Sequence, residues 1–581
     1  MANEYGNYCT LTAVGEGTIS EGNLKFVCAA NGDVNNGTLF IPTSGKWYWE
    51  LLIGAFDANN GALGIKSIAT VNSIHNLSST GGYGMYISSN SGLNGHRFEN
   101  SGTTLPGGGA SQAVTFAVDD RMNIAYNADD NKLWYGKNGT FFNFETGATL
   151  TVDVSTAQFG SIIDQQYVPS VLGNAGTGGS TFTLNFGAIA FTDTPPSGYL
   201  NLSTANLPTP AIINPDDHYY NVLLDHDGSS TATTCTFNLE TNAWLAIIKS
   251  TAEEKWYWVD SLRGVNNYMS SNATTDETAD SNVMSVSGTT LTLGSTLADA
   301  NYLIEVHKAG APPSADNSEA AGATPTAGSV KIDGANLGSA LAGSIKATRL
   351  SSNTTSGFSI ILMTGTGSNG TVAHGLSSSP EWVVHKERDP GGNNWATWHT
   401  GIANTTFQPL DTTLRPQSSA TKWNSTSPTA TTYSLGTDTG NNASGATYVT
   451  YCWHGVAGYS AFGTYAGKDV DGTPTNDFDG PMVYTGFTPS SILINSISAD
   501  TDWQWTTEAT NPVQGNPNTG FLVANETDAI VTNTTPWDFV SNGAKIRVTS
   551  DAQSISDRTY TYCMWGGRPM TSGGINQSRA K

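Results

Sequence analysis

The chain has 581 residues, 38% hydrophobic and 13% charged, and its 25 basic against 48 acidic side chains give a formal charge of -23. That balance excludes a nucleic-acid binder, because phosphate contacts need clustered Lys and Arg, and it repels anionic membranes while favouring solubility. At roughly 100–200 residues per domain the length implies about three to five domains, each able to bury its own core.

The polar remainder is Gly, Thr, Ser and Asn, residues that suit short strands and tight turns and disfavour helices. An all-β chain is therefore expected. No apolar stretch approaches the ~20 residues that span a bilayer, so no membrane insertion is expected. The opening MANEYGNYCTLTA lacks a basic region followed by an apolar run, so synthesis in the cytoplasm without a signal peptide is expected. Five scattered cysteines, Cys9, Cys28, Cys235, Cys452 and Cys563, read as buried free thiols rather than a disulfide or zinc framework.

Residues 1–197 read as one β domain. Ser44 to Gly54 alternates a Trp47/Trp49 face against a Lys46/Tyr48 face, as a half-buried strand does. Phe116 to Phe142 reads as strand, Ala-Asp-Asp-Asn turn, strand, Lys-Asn-Gly turn, strand. Phe182 to Phe191 closes the domain. The runs Gly45-Lys46-Trp47-Tyr48-Trp49-Glu50 and Leu133-Trp134-Tyr135-Gly136-Lys137-Asn138-Gly139 resemble a SPRY domain. The resemblance implies a bent β-sandwich that binds partners through its loops and has no catalytic role. Residues 198–216 follow as a Pro-rich linker; Pro195 to Ile212 resembles the segment after SPRY-like domains in marine phage proteins.

The rest of the chain repeats itself. An apolar strand opens each copy: Ala243–Lys249, Pro380–Lys386 and Pro489–Asn495. A Trp-bearing strand follows: Trp256-Tyr257-Trp258, Trp395-Ala396-Thr397-Trp398 and Trp503-Gln504-Trp505. A Tyr-rich strand closes it: Asn301–Gly310, Thr447–Gly455 and Thr559–Gly567, with Cys452 matched to Cys563. Three modules result, 217–310, 356–468 and 480–581, separated by an Ala/Gly/Ser/Thr-rich linker, 311–355, and an acidic connector, 469–479. The expected architecture is a SPRY-like β-sandwich followed by three related antiparallel β-sandwich modules.

Few motifs carry chemistry. Gly365-Thr366-Gly367-Ser368-Asn369-Gly370 fits GxGxxG, but that motif works between a strand and a helix, and here a turn between strands is expected. The nine histidines form no HExxH or other close ligand pair. The carboxylate neighbours Asp119/Asp120, Asp129/Asp130 and Glu253/Glu254 fall in turns or at strand ends, so no catalytic residue is assigned and no enzyme is expected. Asp469, Asp471, Asp477 and Asp479 put several oxygen ligands within a few residues, which makes them the candidate calcium ligands, although the EF-hand spacing is absent. No other cofactor is expected. On a strand Trp256 and Trp258 share one face, as do Trp503 and Trp505, while Trp395 and Trp398 lie on opposite faces. These six indoles are the candidates for glycan or partner contact, with core packing the alternative.

The stretch Asp260 to Asp280 resembles a repeated module of phage tail-associated proteins. With the first domain and its linker, the resemblance spans nearly the whole chain and is to tail-fibre-like virion structural proteins of marine tailed phages, the cyanophage type. It implies a virion component, a tail fibre or other appendage, that attaches to host surface polysaccharide or to other virion proteins. A capsid-decorating fibre or a glycan-degrading tailspike is the alternative. Exposed strand edges need covering, which with the resemblance favours a homo-oligomer, a trimer above all.

Overall fold

The computed structural model describes residues 179–467, 480–510, 516–547 and 558–569. In the first 178 residues it describes 8–11, 17–28, 34–55, 61–67, 82–87, 97–99, 103–104, 114–143, 146–157 and 167–173, and single positions 159, 162 and 555 are also described. The chain forms two compact units, the first built mainly of residues up to Thr209, the second of Pro210–Pro481 and Phe487–Pro569. Regular structure is almost entirely antiparallel β. Among the described residues no helix is long and apolar enough to cross a membrane.

The first unit is a two-sheet sandwich. One sheet orders Thr18–Ser20, Lys25–Val27, Thr181–Asn185, Lys46–Ala55, Arg121–Asn127, Lys132–Lys137 and Thr140–Phe141; the other centres on Tyr167–Leu172, Gly61–Ser67 and Gly82–Ile87. Trp47, Trp49, Leu51 and Ile53 of one strand meet Leu63, Ile65, Tyr83 and Val171 of the facing sheet. The expected half-burial of Lys46–Ala55 is corrected: its other face is covered too. Tyr48 packs with Trp134, Phe141 and Tyr199 and sets its ring edge-on to Phe191 at 4.8 Å. The buried Glu50 carboxylate accepts the Thr192 and Asp193 N–H groups at 3.1 and 2.9 Å, which fixes that covering segment. Nor does 198–216 run free, since Leu200–Asn201 pairs parallel to Trp47–Tyr48, and Leu202 and Leu207 enter the core.

In the second unit three main sheets repeat one order. An outer strand pairs with the closing strand, then comes the opening strand, then the Trp strand, then a further strand. The first set is Tyr219–Asp227, Asp299–Lys308, Trp244–Ser250, Tyr257–Asp260 and Asn267–Met269. The second is Phe358–Thr364, Thr447–Trp453, Trp382–Asp389, Ala396–His399 and Thr406–Pro409. The third is Ala461–Ala466, Thr559–Trp565, Ser491–Ser496, Gln504–Thr507 and Asn518–Val523. Ile247, Val384 and Leu493 occupy equivalent positions, opposite Glu305, Tyr451 and Cys563. The inner faces of all three sheets share one core. The outer faces of the first two modules have cores of their own. With both faces covered, opening strands read as continuous apolar runs.

Three sequence expectations change here. Ala461–Ala466, placed by sequence in the second module (356–468), is the outer strand of the third sheet, paired with Thr559–Trp565. Residues 311–355 hold the strands Val330–Ile332 and Ala347–Asn353, paired parallel, and bury Val330, Leu341, Ile345 and Leu350. Widely spaced apolar residues anchor what composition alone read as a linker. Cys452 does not correspond to Cys563: register matches Tyr451 to Cys563. A one-residue slip reverses the face of a strand residue, so Cys563 lies in the shared core and Cys452 in the second module's outer core. All five cysteines are buried and none is in a disulfide, as expected. The GxGxxG run lies between the strands Phe358–Thr364 and Gly370–Ala373, as a turn.

Candidate functional site

The six tryptophans singled out from sequence are all buried: Trp256, Trp258, Trp395 and Trp505 at 0%, Trp503 at 1% and Trp398 at 6% exposed. Their expected faces are correct, with Trp398 alone in the second module's outer core and the other five in the shared core. For the five in the shared core packing, not ligand contact, is the use, because a strand covered on both sides has no face left for a platform; Trp398 alone shows an edge, which lines the cleft described below.

The indoles instead lock the modules together. Trp256 Nε1 of the first module donates to the Val523 carbonyl of the third at 2.8 Å. Trp503 of the third donates to Pro409 of the second at 2.9 Å, and Trp395 of the second donates to Ser270 of the first at 2.9 Å. In each case the residue two beyond the accepting carbonyl (Asn272, Asp411 or Asn525) caps the backbone N–H of its own module's Trp, at 3.0, 3.0 and 2.8 Å. The three contacts close a ring, so the unit has threefold pseudo-symmetry within one chain. His307, Trp453 and Trp565, equivalent by register, form a triangle with centroid separations of 5.4 to 6.2 Å. Replacing Trp256, Trp395 or Trp503 by Phe keeps an aromatic ring and removes the buried cross-module hydrogen bonding of the indole N–H, at a cost of about 0.5–1.5 kcal/mol. Urea unfolding should show similar losses at all three positions; a loss at one alone would contradict the ring.

The Asp260-Ser261-Leu262-Arg263-Gly264 stretch is part of the same lock. The Arg263 guanidinium ion-pairs with Asp260, both side chains at 0% exposure. It reaches Glu277 at 3.2 Å, and Arg388 of the second module holds Glu277 through two bonds of 2.9 Å. Tyr451, also of the second module, donates to Asp260 at 2.8 Å.

Symmetry fails at one surface position. The position three residues before Ile247, Val384 and Leu493 is Trp244 in the first module, Glu381 in the second and Ser490 in the third. Trp244 is buried and donates to the Leu239 carbonyl at 2.8 Å; Ser490 is taken up by Glu508 at 2.9 Å. At Glu381 a cleft of about 460 Å³ opens, lined by Ser379, Pro380, Glu381, Trp398, Thr400, Ile402, Pro428 and His454 among others. Thr400 is hung beside Glu381 by its N–H on the Glu381 carbonyl at 2.8 Å. Glu381 Oε2 accepts the Gly455 N–H, and burial raises its carboxyl above the ordinary range while that bond opposes the rise. Burial lowers the pKa of His454. Its Nδ1 lies 2.9 Å from the Gly455 carbonyl and therefore carries the proton, and Nε2 faces Ser377 Oγ at 3.4 Å. Sequence reading missed this site because Glu381, Thr400 and His454 come from three separate strand ends. The available signal was a carboxylate where the sister modules carry Trp and Ser.

The candidate calcium ligands Asp469, Asp471, Asp477 and Asp479 lie outside the described residues. Among the described residues no group of three or more His, Cys, Asp or Glu is placed to hold a metal ion.

The profile of the family described as Domain of unknown function (DUF7483) matches residues 214–569, more than half of the chain. The chain belongs to the DUF7483 family. The matched span opens just before the first module's outer strand and ends just after the third module's closing strand, so the DUF7483 region is the ring of three modules. No curated protein matches the chain. Among solved structures, the TRIM65 PSpry domain is similar to 31% of the chain over 93% of its own length, at 13% identity and a TM-score of 0.22. The SPRY domain of human HERC1 is similar over 30% of the chain and 96% of its own, at 16% identity and 0.20. A human SPRY domain is similar over 29% and 96%, at 12% identity and 0.21.

Proposed function

We propose that this DUF7483 protein is a non-enzymatic structural and binding component of a virion, a tail fibre or other appendage, with a SPRY-like sandwich at its N-terminal end. In this reading it is made in the host cytoplasm, assembles as a homotrimer with other virion proteins, and presents its surface to host polysaccharide. The sequence resemblance of Pro195–Ile212 and Asp260–Asp280 to phage proteins supports the virion setting. The observation that carries the binding role is the ring of cross-module bonds. Groups able to do chemistry elsewhere, namely Asp260, Arg263, Glu277 and His399, serve here to tie one module to the next. A chain built this way favours rigid display over turnover.

Mass spectrometry and antibody labelling of purified particles test the reading. The protein is expected on an appendage, in multiples of three by mass photometry of the isolated chain. Its absence from particles would refute the virion role. Incubation with host envelope polysaccharide is expected to release no oligosaccharide; release would favour the tailspike alternative.

A further inference from the structure

We propose that the Glu381 cleft is a carbohydrate site selective for neutral or amino-substituted pyranose rings over acidic ones. This deepens the reading of the chain as a binding protein and rests on it.

The cleft falls within the size range that takes a small ligand, roughly 300–1,000 Å³. Its apolar part is Pro380, Ile402, Pro428 and the edge of Trp398, and Glu381, Ser379 and Thr400 supply the polar part. A pyranose has the matching division, apolar C–H faces and a hydroxyl edge. Glu381 uses Oε2 on Gly455 and has no partner at Oε1, so Oε1 is free to accept a ligand O–H or N–H. Ser379 Oγ donates to the Pro428 carbonyl at 2.9 Å, leaving its lone pairs for a ligand donor. Thr400 is exposed, and its hydroxyl turns either way. With Ser378 and Ser427 also on the lining, the cleft offers the carboxylate as an acceptor and several hydroxyls that accept or donate, which a hydroxyl- or ammonium-rich ligand satisfies.

Charge decides between sugar classes. The described lining residues carry one full charge, the Glu381 carboxylate, since His454 is neutral with its proton on Nδ1. A uronate or sialate would set a second carboxylate against a half-buried first one with no cation between them, and the net charge of -23 adds to the repulsion. A neutral sugar meets no such cost, and an amino sugar gains a charge-assisted bond.

The position supports a dedicated site. The equivalent place in the first module is filled by the Trp244 indole, and in the third the Ser490 hydroxyl is bonded to Glu508. Among the described residues the second module opens it.

Saturation-transfer NMR on the full chain, with trisaccharides of hexose, N-acetylhexosamine, glucosamine and glucuronate, tests the proposal. Signals are expected from the first three and not from glucuronate. Thr400→Arg, at an exposed position, should leave the unfolding midpoint unchanged and weaken binding by about tenfold or more by filling the cleft. Glu381→Gln should weaken glucosamine more than hexose. The proposal is overturned if no neutral or amino sugar binds, if Thr400→Arg leaves binding unchanged, if glucuronate binds equally well, or if a Lys-rich peptide binds in place of every sugar. A chain present in virions whose cleft takes no sugar would fail this inference alone; a chain absent from virions that still binds sugar at Thr400 and Glu381 would fail only the virion reading.

Discussion

Arg263→Ala is expected to destabilise the DUF7483 unit by about 3–5 kcal/mol, the loss typical of taking one partner from a buried ion pair. Burial works against the guanidinium's charge, and the Asp260 carboxylate, the Tyr451 hydroxyl and the Glu277 carboxylate outweigh it, so the group is held charged more firmly than an ordinary arginine. It also donates to the Trp258 carbonyl at 2.7 Å and to the Tyr451 hydroxyl at 3.2 Å. Without it, Asp260 still accepts the Leu262 and Arg263 N–H groups at 2.9 Å each, but a full negative charge is left at 0% exposure. Asp260→Asn combined with Arg263→Ala removes that charge and should recover part of the loss. Arg263→Lys should not rescue, because one ammonium cannot serve carboxylates, carbonyl and hydroxyl in the planar fork geometry. Guanidinium unfolding followed by tryptophan fluorescence measures all three. A loss under about 1 kcal/mol for the single change would mean the pair contributes little to the lock.

Much of the fold was legible, for identifiable reasons. Period-2 alternation and Trp spacing placed Trp256/Trp258 and Trp503/Trp505 on shared strand faces, and the three opening strands aligned without gaps, so the repeat was visible. What alternation cannot say is what covers a face. In Ser44 to Gly54 the Lys46/Tyr48 face alternates with the Trp47/Trp49 face as in a half-buried strand, and only the fold supplies Phe191 and Tyr199 to cover it. The capping residues Asn272, Asp411 and Asn525 escaped notice because they differ in type and follow their tryptophans at unequal spacing, 16, 16 and 22 residues. The match of Cys452 to Cys563 followed residue identity where the ladder follows register. The cleft was illegible for a related reason: a site made by a departure from symmetry shows only after the symmetric positions are known.

Acidification is expected to destabilise the DUF7483 unit steeply between about pH 6.5 and pH 4. Burial pushes His307 down to about 3, and His374, His385 and His399 down to about 4, from an ordinary 6.5. Carbonyls of Thr429, Asn441 and Tyr562 partly offset this for the last three. Histidines held neutral when folded give stability that is complete above 6.5 and is lost as pH falls toward the folded values, because the unfolded chain takes up protons the folded one refuses. Glu305 acts the other way. Burial raises it to about 7, against bonds from Ser491, Tyr219 and Trp505, so it stabilises the fold at low pH and loses that contribution as pH rises through 7. Burial likewise raises Glu381 and Asp411. Burial also lowers His218 and His454, so up to six protons against one to three leave a net loss on the order of a few kcal/mol per pH unit. His307 isolates the cause. It lies against Tyr219, Phe358, Trp453 and Trp565, and its Nε2 has no partner. His307→Phe removes both an unpaired polar atom and one titration, so the acid midpoint should move down while stability at pH 8 holds or rises. An acid midpoint unchanged in that variant would assign the transition to other groups.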